Sequence, residues 1–137
     1  MIKLVFTLRR RQGITREEFQ RYWRDEHAPL VQRHAETLHI RGYVQVHLRE
    51  THLDDAISAP RGSEPRFYDG IAELWWDSLE DLTAAFTTDA GQAAAAELLE
   101  DEQHFIDLPN SPLWLGEENV VIGLAGGKSK GESSWPG

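Results

Sequence analysis

RYWRDEHAPL, residues 21–30, sets a titratable ring on the apolar side of a helix just before a proline. His27 follows Trp23 by four residues and precedes Leu30 by three, so a helix turns its imidazole inward, toward a core or a pocket. An imidazole titrates near neutrality and serves as general acid or base without a cofactor. Pro29 has no N–H to donate and crowds the preceding turn, so a kink or break is expected there. The plain alternative is a core histidine that donates to a backbone carbonyl. Metal binding has little support. HExxH is absent, and His34, the other histidine on the stripe, stands about 10 Å along the axis from His27.

A second polar group alternates along residues 43–49. Tyr43, Gln45 and His47 share one strand face, and Val44, Val46 and Leu48 share the other. Either that polar face is solvated or it points toward His27.

The elements that must position these residues are legible in order. Ile2, Leu4, Phe6 and Leu8 alternate with more polar neighbours, giving a first strand. Thr15-Arg16-Glu17-Glu18 is a capping box that opens a helix, whose stripe runs Phe19, Tyr22, Trp23, His27, Leu30, Val31, His34 and Leu38. Tyr43–Arg49 is a second strand and Phe67–Trp76 a third, apolar on both faces apart from Asp69 and Glu73. Between them, residues 51–66 read as a long mobile connection. Ser78 caps a helix that Asp89 restarts and that runs to about Glu100. Leu113–Leu124 supplies the fourth strand around a Gly116 interruption.

The order β-α-β-β-α-β predicts an α+β, ferredoxin-like domain: an antiparallel four-stranded sheet with its helices on one face. The domain occupies residues 1–124, and residues 125–137 form a flexible tail. A bare apolar sheet face in so small a domain implies a homodimer packed sheet to sheet.

Composition narrows the function classes. There is no cysteine, which removes disulfides and thiolate chemistry and points to a cytoplasmic setting. The start has no signal-peptide pattern, and no stretch is long and apolar enough for a bilayer. A net charge of −9 argues against nucleic-acid and anionic-membrane partners. Charge is unevenly spread: ten of the fourteen basic side chains lie in residues 1–49, and eighteen of the twenty-three acidic ones in residues 50–137. Opposite charges meeting across the fold or a dimer explain this; alternatively Arg9-Arg10-Arg11 holds an anionic substrate. GxGxxG, P-loop and GxSxG motifs are absent.

Residues 3–30, KLVFTLRRRQGITREEFQRYWRDEHAPL, with RGYVQVH, YDGIAELWWDS and DEQHFIDLPNSPLWLGEENVVI, resemble the EthD family of the dimeric α+β barrel superfamily over residues 2–124. The resemblance implies a ferredoxin-like subunit, dimerisation through the sheets, and a pocket between sheet and helices. It makes His27, in the HAPL motif, the family's catalytic position. The implied activity is a cofactor-independent lyase or cyclase, of dehydratase or decarboxylase type, acting on a small aromatic, phenolic or polyketide-like compound. In that reading His27 is the acid or base, and His47 or Glu73 handles a second proton. Trp23, His34, Tyr43, Gln45, Glu73 and Trp75 contact the substrate, and no metal or cofactor is required. The alternatives are a non-catalytic small-molecule binder and a cofactor-free monooxygenase or isomerase of the same superfamily.

Overall fold

A computed structural model of the chain describes residues 1–125. The expected tail over 125–137 lies, apart from residue 125, outside the described residues. Four strands, β1 (Ile2–Leu8), β2 (Gly42–His47), β3 (Gly70–Trp76) and β4 (Leu113–Gly116), form an antiparallel sheet in the order β2-β3-β1-β4. The helices α1 (Arg16–Tyr22), α2 (Ala28–His34), α3 (Leu53–Ser58), α4 (Leu79–Ala85) and α5 (Asp89–Glu102) complete the ferredoxin-like, α+β architecture.

Thr15 caps α1 as its sequence requires. Its hydroxyl accepts from the Glu18 N–H at 3.0 Å, and the Glu18 carboxylate accepts from the Thr15 N–H at 2.8 Å. The disturbance expected at Pro29 appears one turn earlier and is not a break. Residues Trp23–His27 form a π-helical turn in which the Ala28 N–H reaches back five residues to the Trp23 carbonyl, and Pro29 sits in the first turn of α2. A widened turn accommodates a proline that can supply neither the usual N–H nor the room for the preceding carbonyl. Along the helical stripe Phe19, Trp23, His27, Leu30 and Val31 are buried, and Tyr22 and His34 are half-buried. Leu38 is buried too, although it lies in the turns beyond α2.

On the helix side, Leu8, Phe19, Trp23, Ala72, Phe105 and Ile106 form one core cluster. Gly70 is required where β3 passes under the π turn. A Cβ there would stand 2.6 Å from the Trp23 ring and 2.6 Å from the Val46 carbonyl. The other face of the sheet carries Lys3, Val5, Val44, Val46, Glu73, Trp75 and Trp114 by strand alternation and register. Val44, Val46 and Trp114 are exposed on it.

Three segments depart from the sequence reading. Residues 51–66 contain α3 and a 3₁₀ turn, Ala59–Arg61, rather than an irregular loop. Asp54 and Asp55 in the first turn of α3 complement its dipole, a signal masked by the surrounding Pro and Gly. The third strand begins at Gly70, not Phe67. The fourth ends at Gly116, where pairing with Lys3 of β1 stops, so residues 117–124 form no strand.

Candidate active site

The C-terminal end of α5 crosses the π turn and brings two carboxyl groups to His27. His27 is 5% exposed, and its Nδ1 lies 2.7 Å from Asp101 Oδ2. The Tyr22 hydroxyl donates to the other oxygen, Asp101 Oδ1, at 2.6 Å. Burial opposes ionisation of Asp101, but the donors Tyr22 and His27 outweigh it and hold the carboxyl below its usual value. An ionised Asp101 accepts on both oxygens, so His27 carries its proton on Nδ1 and turns a bare Nε2 away from Asp101. Burial also holds the His27 imidazole below its usual value, against the raising influence of Asp101. The ring is therefore a neutral, oriented base at pH 7.

Beside it, Glu102 has the opposite character. Burial, then the neighbouring Asp101 charge, pushes its carboxyl up to about 7. His27 and Glu102 line one small cavity of about 60 Å³. Phe6 and Leu8 of β1, Ala72 and Leu74 of β3, Trp23, Val31, Leu98 and Ile106 make its apolar walls, and Tyr43 is its third polar group. An imidazole held below its usual pKa and a carboxyl held above its own can act as base and acid on one ligand.

The polar face of β2 turns toward the π turn and is half-buried. Gln45 Nε2 donates to the Trp23 carbonyl at 2.9 Å and to the Tyr43 hydroxyl at 2.8 Å, and Gln45 Oε1 accepts from His47 Nε2 at 2.8 Å. Because a carbonyl only accepts, the amide orientation is fixed and with it the direction of the whole chain. Burial raises the Tyr43 hydroxyl, against Gln45 and Trp23, whose donors hold its oxygen. With its oxygen so occupied, Tyr43 has its own proton to offer a ligand.

The expected site residues are thus only partly gathered. Trp23, His27 and Tyr43 line the cavity, and Gln45 stands behind Tyr43. His47 packs against the Trp23 ring with centroids 4.4 Å apart and does not line the cavity. Glu73 and Trp75 lie on the opposite face of the sheet from Ala72 and Leu74. There Glu73 binds Lys3 Nζ at 2.8 Å, and Trp75 lies under the same ammonium group at 4.8 Å. His34 points away from the cavity and bonds Glu97 of α5. Asp101 and Glu102 are absent from the residues expected from the sequence, and so is His104, which lies 3.3 Å from the Tyr22 hydroxyl. A signal for them exists: Glu100, Asp101 and Glu102 close a helix whose C-terminal dipole disfavours carboxylates. Among the described residues, no group of three or more His, Cys, Asp or Glu side chains is arranged to hold a metal ion, and no helix is long and apolar enough to cross a membrane.

Comparison with known proteins bears on this arrangement. No curated protein matches the chain. Among solved structures, an EthD family protein from Bacillus halodurans c-125 is 21% identical, with a TM-score of 0.58 over 87% of this chain and 99% of that one. A dimeric protein of unknown function and ferredoxin-like fold from Bacteroides fragilis is 11% identical, with a TM-score of 0.53 over 85% and 95%. SnoaB from Streptomyces nogalater, a cofactor-independent oxygenase, is 12% identical, with a TM-score of 0.50 over 88% and 95%. At these identities the likeness is one of fold. The model of the EthD domain matches residues 11–109, most of the chain and all of the helical elements that hold His27, Asp101 and Glu102, and the chain belongs to the EthD family.

Proposed function

We infer that this chain is a cofactor-independent lyase or cyclase, of dehydratase or decarboxylase type, acting on a small aromatic, phenolic or polyketide-like compound. The observation that carries the reading is the pairing, in one apolar cavity, of His27 held neutral with Glu102 held up to about 7. For loss of water, His27 Nε2 takes the proton from carbon and the electron pair forms the new double bond. The carbon–oxygen bond breaks as Glu102 protonates the departing hydroxyl, which leaves as water. The proton on His27 then returns to Glu102, directly or through a cavity water, and both groups are restored. Asp101 positions His27 and stabilises the imidazolium, and Tyr43 offers a hydrogen bond to a substrate oxygen.

The cavity of about 60 Å³ is smaller than the roughly 150 Å³ that takes up benzene. Ring-sized substrates therefore enter by displacing the partly exposed Leu98 and Glu102 on α5. The same small volume favours a second reading, a non-catalytic binder of a smaller ligand. The fold is shared with an oxygenase that needs no cofactor, which supports cofactor-free catalysis on this scaffold without selecting the reaction. A homodimer through the face carrying Val44, Val46 and Trp114 belongs to the proposal, supported by the dimeric neighbour.

The test is turnover of a panel of hydroxylated aromatic acids and β-hydroxy ketones, with products identified by mass. His27→Ala and Glu102→Gln should each lower the rate by about 10²–10⁴-fold with circular dichroism unchanged. Undiminished turnover by folded His27→Ala would sink the reading, and saturable binding with no turnover would establish the binder.

A further inference from the structure

A larger cleft of about 830 Å³ opens where β1 ends, and it shares no lining residue with the His27 cavity. Five arginines line it, Arg9, Arg10, Arg11, Arg16 and Arg66, against the single carboxylate of Asp69, in a chain whose net charge is −9. The backbone of the run is pinned. The Arg9 N–H bonds Ser111 Oγ at 2.9 Å, the Arg10 N–H bonds Asp69 Oδ2 at 2.8 Å, and the Arg11 N–H bonds the Phe105 carbonyl at 2.9 Å.

The arginines divide into two kinds. Arg10 and Arg16 hold the buried Asp69, at 2.7 Å and 3.4 Å, and Arg16 also bonds Glu50, while Arg66 pairs with Asp54. These pairs compensate charge and shape the walls. Arg9 and Arg11 have no carboxylate partner among the described residues: Arg11 donates to the Gln103 carbonyl at 3.3 Å, whereas the Arg9 guanidinium lies 3.9 Å over the Phe67 ring. A guanidinium held over an aromatic ring and without a carboxylate partner keeps N–H donors that suit a carboxylate or phosphate. Phe67 and Tyr68, in edge-to-face contact at 5.0 Å, are exposed on the same wall. The cleft therefore combines a held cation with open aromatic surface, at a volume suited to a small molecule.

We propose that this cleft is a second ligand site, and that it binds a planar aromatic molecule bearing a carboxylate or phosphate, whose oxyanion is received by Arg9. The site stands independently of the acid–base reading of His27.

The experiment titrates the full chain with 2-naphthoate, 2-naphthyl phosphate and neutral 2-naphthol, following binding by calorimetry at low salt. Either anion should bind saturably and more tightly than the naphthol, and the tighter of the two identifies the oxyanion. Arg9→Gln should weaken it by about tenfold, Arg66→Gln by less, and His27→Ala should leave it unchanged. Equal affinity for the naphthol, no saturable binding of either anion up to about 5 mM, or full affinity in Arg9→Gln overturns the proposal. Loss of binding in folded His27→Ala but not in Arg9→Gln also overturns it, by placing the probe in the other cavity.

Discussion

His27 Nδ1 and Asp101 Oδ2 meet at 2.7 Å across 74 residues of chain. The contact joins the π turn of the first helical arm to the last turn of α5, and it determines which imidazole nitrogen is free. Asp101→Asn removes the charge that raises the His27 pKa and leaves burial unopposed, so the imidazole should titrate lower than in the parent protein. Turnover should fall by about 10²-fold as the tautomer is released. An NMR titration of the His27 ring that moved upward would contradict this role for Asp101.

The pH dependence of catalysis follows from the same pair. The base needs His27 neutral and the acid needs Glu102 protonated, so the rate should rise through a pKa below 6.5 and decline through about 7. Glu102→Gln should abolish the alkaline limb and leave the acid one. A profile with both limbs intact in that variant would remove Glu102 as the acid.

Stability responds to Glu102 in the opposite sense from an ordinary salt-bridged carboxylate. Its folded pKa of about 7 exceeds the reference value of 4.5, so the unfolded chain releases the proton first and stability is lost as pH rises from 4.5 to about 7. Glu102→Gln should therefore match the parent at pH 4 and exceed it at pH 8, by at most about 3 kcal/mol. His27, depressed by burial, contributes the reverse slope, losing stability as pH falls below 6.5. Chemical denaturation at the two pH values distinguishes them.

Gln45 links the Trp23 carbonyl, the Tyr43 hydroxyl and His47. Gln45→Leu leaves buried partners unmatched and should cost about 1–3 kcal/mol in the denaturant midpoint. It should also weaken substrate binding through Tyr43, raising KM. A variant as stable as the parent would show the three bonds to be incidental.

Val44→Lys with Val46→Lys places two cations on the exposed sheet face without touching the cavity. Sedimentation should show a dimer for the parent and a monomer for this variant at micromolar concentration. A monomeric parent would end the sheet-to-sheet assignment.

What could be read from the chain divides by the range of the interaction. The capping box at Thr15, the alternation in β1 and β2, and the inward row Trp23, His27 and Leu30 are local patterns, and the structure has them all. A carboxylate in an otherwise apolar strand draws attention in the sequence, and the structure places Glu73 on the sheet face away from the His27 cavity. Its partner, Lys3, sits on the neighbouring strand of the same face, which only the register reveals. Asp101 and Glu102 were missed for the complementary reason: nothing within ten residues of them is histidine-bearing except His104, and their chemistry comes from α5 lying across the π turn.

The π turn carries one residue more than an ordinary helical turn, and a residue added to a helix rotates everything after it by about 100°. Seen as an insertion, residues 23–27 set the phase of the first helical arm: removing one residue would swing Leu30 and Val31 off the core or carry the imidazole off the cavity. Deleting one residue between Trp23 and His27 should therefore cost both the core packing of Leu30 and Val31 and the His27 site, whereas substituting the exposed residues Arg24, Asp25 or Glu26 should cost neither.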